Sequence, residues 1–227
     1  MNILIACEES QRVCVEFRKK GHNAFSCDVL PCSGGHPEWH IQADVLRILD
    51  APTWFYTMAG TYHSIYKWDM IIAFPPCTYL SVVGSGYFNI EKYGEKAIER
   101  YAERDKAYLF FMRFINANCE KIAVENPVGY CNSHYRKPDQ IIHPYYFAEN
   151  EKDVANYQLK RTCLWLKNLP LLKRVSYLEK PGPIYVDHIT GKKRNYVDAI
   201  SGTSKDGQRL RSQTFPGIAR AMAEQWG

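Results

Sequence analysis

The sequence predicts an α/β fold organised around a mostly parallel central sheet. Three stretches carry that expectation. Residues 2–7 (Asn-Ile-Leu-Ile-Ala-Cys) form a short apolar run, the pattern of a buried strand. A helical pattern follows, and residues 23–27 then read as a second strand closing on Asp28. A strand, a helix and a strand in so short a span form a βαβ unit, whose two strands pair in parallel. Residues 69–74 and 121–124 repeat the buried-strand pattern, and each stops at a proline-marked turn: Pro75-Pro76-Cys77 after the first, Glu125-Asn126-Pro127 after the second.

In chain order, Ser10 is the expected cap of the first helix. That helix runs through Val13, Val15, Phe17 and Lys20, and Gly21 stops it. The glycine- and proline-bearing residues 30–39 read as a loop. Residues 40–44 read as a short third strand ending on the carboxylate of Asp44. Residues 50–66 form a mixed, aromatic-rich connection. Residues 78–89, with Gly84 and Gly86, read as a polar loop that could close over a substrate. Residues 95–117 predict a long helix with Ala107, Leu109, Phe110, Phe111, Phe114 and Ile115 toward the core. Residues 162–166 predict a further strand. From 173 to 207 the composition shifts toward Lys, Gly, Pro and Asp, and residues 211–216 then lead into a last helix at 217–226.

The chain has 227 residues, which fits a single domain over 1–227. No apolar run approaches the roughly 18 residues of a membrane helix, so no membrane partner is expected. The amino end lacks the basic lead of a secretory signal. The eight cysteines then predict free thiols in a reducing cytoplasm. A net charge of +5 permits a polyanionic partner.

Cys77 is the leading candidate for chemistry. The prolines before it cannot donate to a sheet ladder and stiffen the exit of the strand. Open α/β sheets bind ligands at that carboxyl edge, and a thiolate is a strong nucleophile near neutral pH. Glu125 repeats the arrangement with a carboxyl, so neighbouring strands would present a nucleophile and an acid together. Lys160 and Arg161, before the strand at 162–166, supply cations that could lower the thiol pKa or bind phosphate. Separately, Cys27, Cys32, His36 and His40 are zinc-ligand types at Cys-x4-Cys-x3-His-x3-His spacing.

Pro75-Pro76-Cys77, Glu125-Asn126, Lys160-Arg161-Thr162 and the terminal Thr214-Phe215-Pro216-Gly217-Ile218-Ala219 occur in an order that resembles the DNA cytosine-5 methyltransferases, above all their short phage and prophage members. The resemblance spans nearly the whole chain. It implies a Rossmann-like methyltransferase sheet with helices on both faces, S-adenosylmethionine as the methyl donor and cytosine in DNA as the substrate, flipped out or single-stranded. It implies Cys77 as nucleophile, Glu125 as the residue that binds and protonates the base, and Arg161 as an assisting group. It further implies a cofactor site at Ala6, Cys7, Glu8, Ser10, Asp28, Asp44 and Pro75, closed by the segment that begins at Thr214. The first turn here is Ala6-Cys7-Glu8-Glu9-Ser10-Gln11, without the family's glycines, and Thr78 stands where Gln is usual. Two acids in that turn favour a ligand carrying positive charge. Residues 173–210 form a short insert in place of a target-recognition domain.

Cytosine carbon 5 becomes nucleophilic when a thiolate adds at carbon 6, and a protonated acid at ring nitrogen 3 neutralises the charge so formed. Cys77 and Glu125 are suited to those two tasks, and burial would raise the pKa of Glu125 accordingly. The target must leave a duplex or be single-stranded. Tyr79, Tyr87 and Phe88 could stack on it. Two other readings keep the sequence: the same chemistry on a free pyrimidine nucleotide or uracil, and an inactive Rossmann-like binding protein in phage–host conflict.

Overall fold

The computed structural model describes residues 1–183, 185–186, 191–194 and 204–227. A seven-stranded sheet forms the centre, composed of β1 (Asn2–Ala6), β2 (Asn23–Asp28), β3 (His40–Gln42), β6 (Met70–Ala73), β7 (Lys121–Pro127), β8 (Gln140–Ile142) and β9 (Thr162–Lys167). Its order is β3-β2-β1-β6-β7-β9-β8. Strands β3 to β7 pair in parallel, and β9 lies antiparallel to both β7 and β8. The chain winds outward from β1 in both directions, so the switch point lies between β1 and β6. That is the place where open α/β sheets leave a crevice.

Alternation along the strands sorts the core into two layers. Ile3, Ile5, Met70, Ile72, Ala123 and Leu164 point to a face covered by α1 (Arg12–Lys19) and the terminal helix, α6 (Pro216–Trp226). Leu4, Ala6, Ile71, Ala73, Ile122, Val124 and Trp165 point to the other face, covered by α3 (Glu95–Ile115) through Phe111 and Phe114. The α/β class, the mostly parallel sheet and helices on both faces agree with the expectation. Leu109 does not: it is 66% exposed on the outer side of α3. Among the described residues no helix is long and apolar enough to cross a membrane.

Several elements differ from the sequence reading. The aromatic connection contains an antiparallel hairpin, β4 (Thr53–Tyr56) with β5 (Tyr62–Ile65). Its Phe55 and Ile65 join the core while Trp54, Tyr56 and Tyr62 stay exposed. Strand β7 does not stop at Val124. It runs on through Glu125 and Asn126 to Pro127, because β9 offers ladder partners to the end: Glu125 opposite Leu164, Asn126 opposite Cys163, Pro127 opposite Thr162. Two short helices, α2 (Ile90–Tyr93) and α4 (Tyr130–His134), flank α3 and follow β7. The lead-in to the last helix contains α5 (Lys205–Ser212), capped by Ser204, whose hydroxyl accepts from the Gly207 N–H. Of the insert at 173–210, residues 184, 187–190 and 195–203 lie outside the described residues.

Candidate active site

The strand ends that follow β6 and β7 are tied together at three points. Asn126 Nδ2 donates to the Pro75 carbonyl at 2.9 Å. The Tyr130 N–H donates to the Leu80 carbonyl at 2.7 Å, and the Val82 N–H to the Val128 carbonyl at 3.1 Å. Gly129 permits the approach, since a Cβ there would collide with the Leu80 carbonyl. The Leu80 and Ser81 N–H groups both donate to the Cys77 carbonyl, which curls the chain tightly after the prolines. The paired exits expected from sequence are therefore joined, and they stand beside the switch point.

Cys77 is accessible to solvent, yet enough protein surrounds its sulfur to push the thiol pKa up. The charge of Glu125 pushes it further, while Lys160 and Arg211 pull it down. Glu125 answers the same neighbours: burial raises its pKa, and Lys160 opposes the rise. These mutual effects place the thiol, the carboxyl and the Lys160 ammonium in one neighbourhood. Among the described residues the Glu125 carboxyl makes no hydrogen bond or ion pair, so it is uncommitted. Raised pKa values for both groups favour a thiol and a protonated acid, with Lys160 as the nearby positive charge.

Arg161 requires a correction. Side chains alternate along an extended chain, so Lys160 shares the side of Thr162 and Leu164, which face the Glu125 side of the sheet. Arg161 falls on the other side. It is exposed, and its charge acts on Cys163 and His143 rather than on Cys77 or Glu125. Lys160 is the cation whose charge reaches both Cys77 and Glu125. Its Nζ donates to the Arg211 carbonyl at 3.0 Å and lies 5.8 Å from the Phe215 ring centroid.

The expected cofactor residues fall into two groups. Ala6 and Cys7 end β1 at the switch point, and the Phe74 N–H donates to the Ala6 carbonyl at 2.9 Å, next to buried Pro75. Cys7 turns into the left-handed region with φ 60°. Its thiol pKa is held well above the usual range by burial and then by the charges of Asp28, Cys27 and Asp44, so the acids ending β2 and β3 lie near this turn. Asp28 retains one carboxylate oxygen beyond the one that accepts from the Leu30 N–H. Exposed Asp44 caps the turn at 45–47 by accepting from the Leu46 N–H. Thr214 also arrives here: its carbonyl accepts from Arg12 Nη1 at 2.7 Å, while Gln213 bonds both Arg12 and Glu9. Residues 211–215 thus bridge the first turn and Lys160.

Glu8 and Ser10 belong to the second group and are corrections. The Glu8 carboxyl is buried beneath α1 and accepts from the Val13 and Cys14 N–H groups at 2.7 and 3.2 Å. Burial nonetheless pushes its pKa up to about 8. It caps the helix in place of Ser10, whose side chain makes no cap. The N-cap residue is Gln11, also left-handed with φ 57°. Gln11 clamps the backbone of His36 through both side-chain atoms. The loop at 30–39 packs so closely on this turn that a Cβ on Gly34 would meet Gln11 and the Ser10 carbonyl. With Glu8 buried and Glu9 held by Gln213, the turn does not present two free acids to a ligand.

Tyr79, Tyr87 and Phe88 gather around the Arg100 guanidinium at 4.9, 5.4 and 5.0 Å, and Arg100 Nη2 donates to the Thr78 carbonyl. That loop is fastened to α3 through Arg100, and Tyr87 stays 57% exposed. The zinc set does not converge. His40 uses both ring nitrogens, on Ser26 Oγ and the Leu30 carbonyl, His36 stacks on Trp39, and the Cys27 thiol donates to the Ala43 carbonyl. Among the described residues no three His, Cys, Asp or Glu side chains form a metal cluster.

Asn126 and Lys160 are the site residues to which sequence reasoning gave too little weight. The parity of Lys160 with Thr162 was the available signal for one, and the Glu-Asn pairing for the other. No family model matches this chain, and no curated protein matches it.

Proposed function

We propose that this chain is an S-adenosylmethionine-dependent methyltransferase that acts on carbon 5 of cytosine in DNA through a covalent bond to Cys77. One observation carries the reading: an accessible thiol, an uncommitted carboxyl and a lysine converge at the carboxyl edge of the sheet beside its switch point. The crevice next to them suits the methyl donor in its chemistry. The Asp28 carboxylate ends β2 beside the first turn and can accept from a hydroxyl, and the charges of Asp28 and Asp44 suit a cationic sulfonium. When bound, S-adenosylmethionine supplies an electrophilic methyl group.

The residues of the chain divide the remaining work. Cys77 loses its thiol proton to solvent, an ionisation that the Lys160 charge favours, and the thiolate adds at carbon 6 of the ring. Glu125, whose pKa burial raises, gives a hydrogen bond or a proton to ring nitrogen 3 as negative charge develops there. Asn126 holds the Pro-Pro turn so that the sulfur and the carboxyl keep their separation. After methyl transfer, loss of the carbon 5 proton to a base lets the C–S bond break and returns the thiolate.

The test is a mechanism-based trap. DNA containing 5-fluorocytosine, with S-adenosylmethionine, should form a covalent adduct with the unaltered chain and none with Cys77→Ser. An adduct that survives the substitution would overturn the assignment. Tritiated methyl transfer to DNA and to dCMP, measured side by side, separates this reading from a free-nucleotide enzyme. Absence of S-adenosylmethionine binding by calorimetry would favour a non-catalytic binding protein.

A further inference from the structure

The correction to Arg161 leaves a charge to be explained. In the antiparallel pair of β8 and β9, Ile142 lies opposite Thr162, so the next step of the register sets His143 against Arg161. Residues 174–180 come to the same place. The Val175 and Ser176 N–H groups both donate to the Tyr146 carbonyl, Ser176 Oγ donates to the Tyr145 carbonyl, and the Tyr157 hydroxyl donates to the Glu179 carbonyl. Three segments are thereby pinned around one spot, with Arg161, Arg174 and Lys180 all exposed on it.

Three cations gather there, beside the exposed Glu179. Arg174 lies over the Tyr146 ring at 3.4 Å, and neither it, Arg161 nor Lys180 forms an ion pair among the described residues. His143 packs against the Tyr145 and Tyr146 rings, 5.7 and 5.4 Å away, with a buried Nδ1 that has no hydrogen-bond partner among the described residues. Burial lowers its pKa, and Arg161, Lys180 and Arg174 lower it further. Glu151 and Glu179 act instead on Tyr157. Three cations held together in this way, without ion-pair partners among the described residues, suit a row of anionic oxygens. Tyr177, three residues after Arg174 in the chain, is 88% exposed, with its ring faces open to a base.

We propose that this flank of the β8–β9 hairpin binds the phosphate backbone of single-stranded nucleic acid, with Arg161, Arg174 and Lys180 on the phosphates and Tyr177 stacking on a base. β8 lies two strand spacings from β7 and three from β6, about 10 and 14 Å, at the edge of the sheet that carries Glu125 and Cys77. The proposal rests on the cytosine reading for what the strand delivers to the Cys77 pocket. It deepens that reading by naming a polynucleotide rather than a free nucleotide, and a single strand rather than a duplex.

The experiment follows the anisotropy of a short fluorescein-labelled single-stranded DNA containing one cytosine. The matching duplex and competing dCMP serve as separate arms, and thermal melting checks that each variant is folded. The combined Arg161→Ala, Arg174→Ala, Lys180→Ala variant should weaken single-strand binding about tenfold or more and flatten the log K against log salt slope by about 2. It should leave dCMP competition unchanged. Tyr177→Ala should weaken single-strand binding about fivefold or more and spare the duplex. Wild-type affinity and salt slope in the triple variant would overturn the site, as would no single-strand binding by the unaltered chain. Equal losses on duplex and single strand with Tyr177→Ala would overturn the single-strand assignment. If the cytosine reading alone fails, the 5-fluorocytosine trap is silent while these binding contrasts persist. If the flank alone fails, the trap works and the contrasts vanish.

Discussion

Among the residues around the Cys77 thiol, Lys160 acts on both reacting partners, since its charge lowers the pKa of Cys77 and of Glu125 alike. Removing it should raise both. In Lys160→Met, the pH midpoint for alkylation of Cys77 by iodoacetamide should move upward, whereas Arg161→Ala should leave it in place. Equal shifts from the two variants would contradict the assignment of Lys160 to the pocket. The cysteine and the glutamate were legible in the sequence because proline marks the turn beside each of them. The choice between Lys160 and Arg161 was not, because it depends on the pairing of β9 with β7. That register is set by contacts far apart in the chain, such as Glu125 against Leu164.

The first turn and α1 show the same limit for an element. Serine is a favoured helix cap, so Ser10 is the natural choice from sequence. The fold instead closes the helix with the buried carboxyl of Glu8, because Cys7 and Gln11 both turn left-handed and swing that side chain under Val13 and Cys14. No local pattern announces two non-glycine residues in that conformation. Its consequence is a pH dependence. The pKa of Glu8, about 8, stands above its ordinary value. In the interval between the two, the folded chain holds a proton that the unfolded chain has released. Stability is therefore greatest below the unfolded pKa and falls as pH rises toward 8. Urea midpoints should decline across that window and level off above it. Glu8→Gln, neutral and similar in shape, should remove this share of the decline. Glu125, also raised, leaves a residual slope of the same sign. Identical slopes in both proteins would count against a buried, titrating Glu8. The hairpin β4–β5 went unread for a different reason: its large rings sit on the exposed side, so the alternation that marks a half-buried strand was reversed.

At the scale of the whole molecule, all eight cysteines are free, and their accessibility differs sharply. Cys14, Cys27, Cys119, Cys131 and Cys163 are buried, Cys7 and Cys32 are partly covered, and Cys77 is exposed. A maleimide applied to the native chain should label Cys77 first and spare the five buried thiols until denaturant is added, as peptide mass mapping would read. Early labelling of Cys163 or Cys131 would mean that the layer between α3 and the sheet is looser than described. The parallel sheet itself was legible from the opening βαβ unit and the two proline-stopped strands. The reversal of β9 was not, since nothing in residues 162–167 encodes direction. That reversal has one more consequence. Parallel strands furnish a rim only with what the chain carries as it leaves the sheet, whereas an inverted strand also furnishes it with what the chain carries on arrival. Exchanging residues 160 and 161 would keep composition and charge intact, yet it would deliver a guanidinium to the thiol and an ammonium to the outer flank.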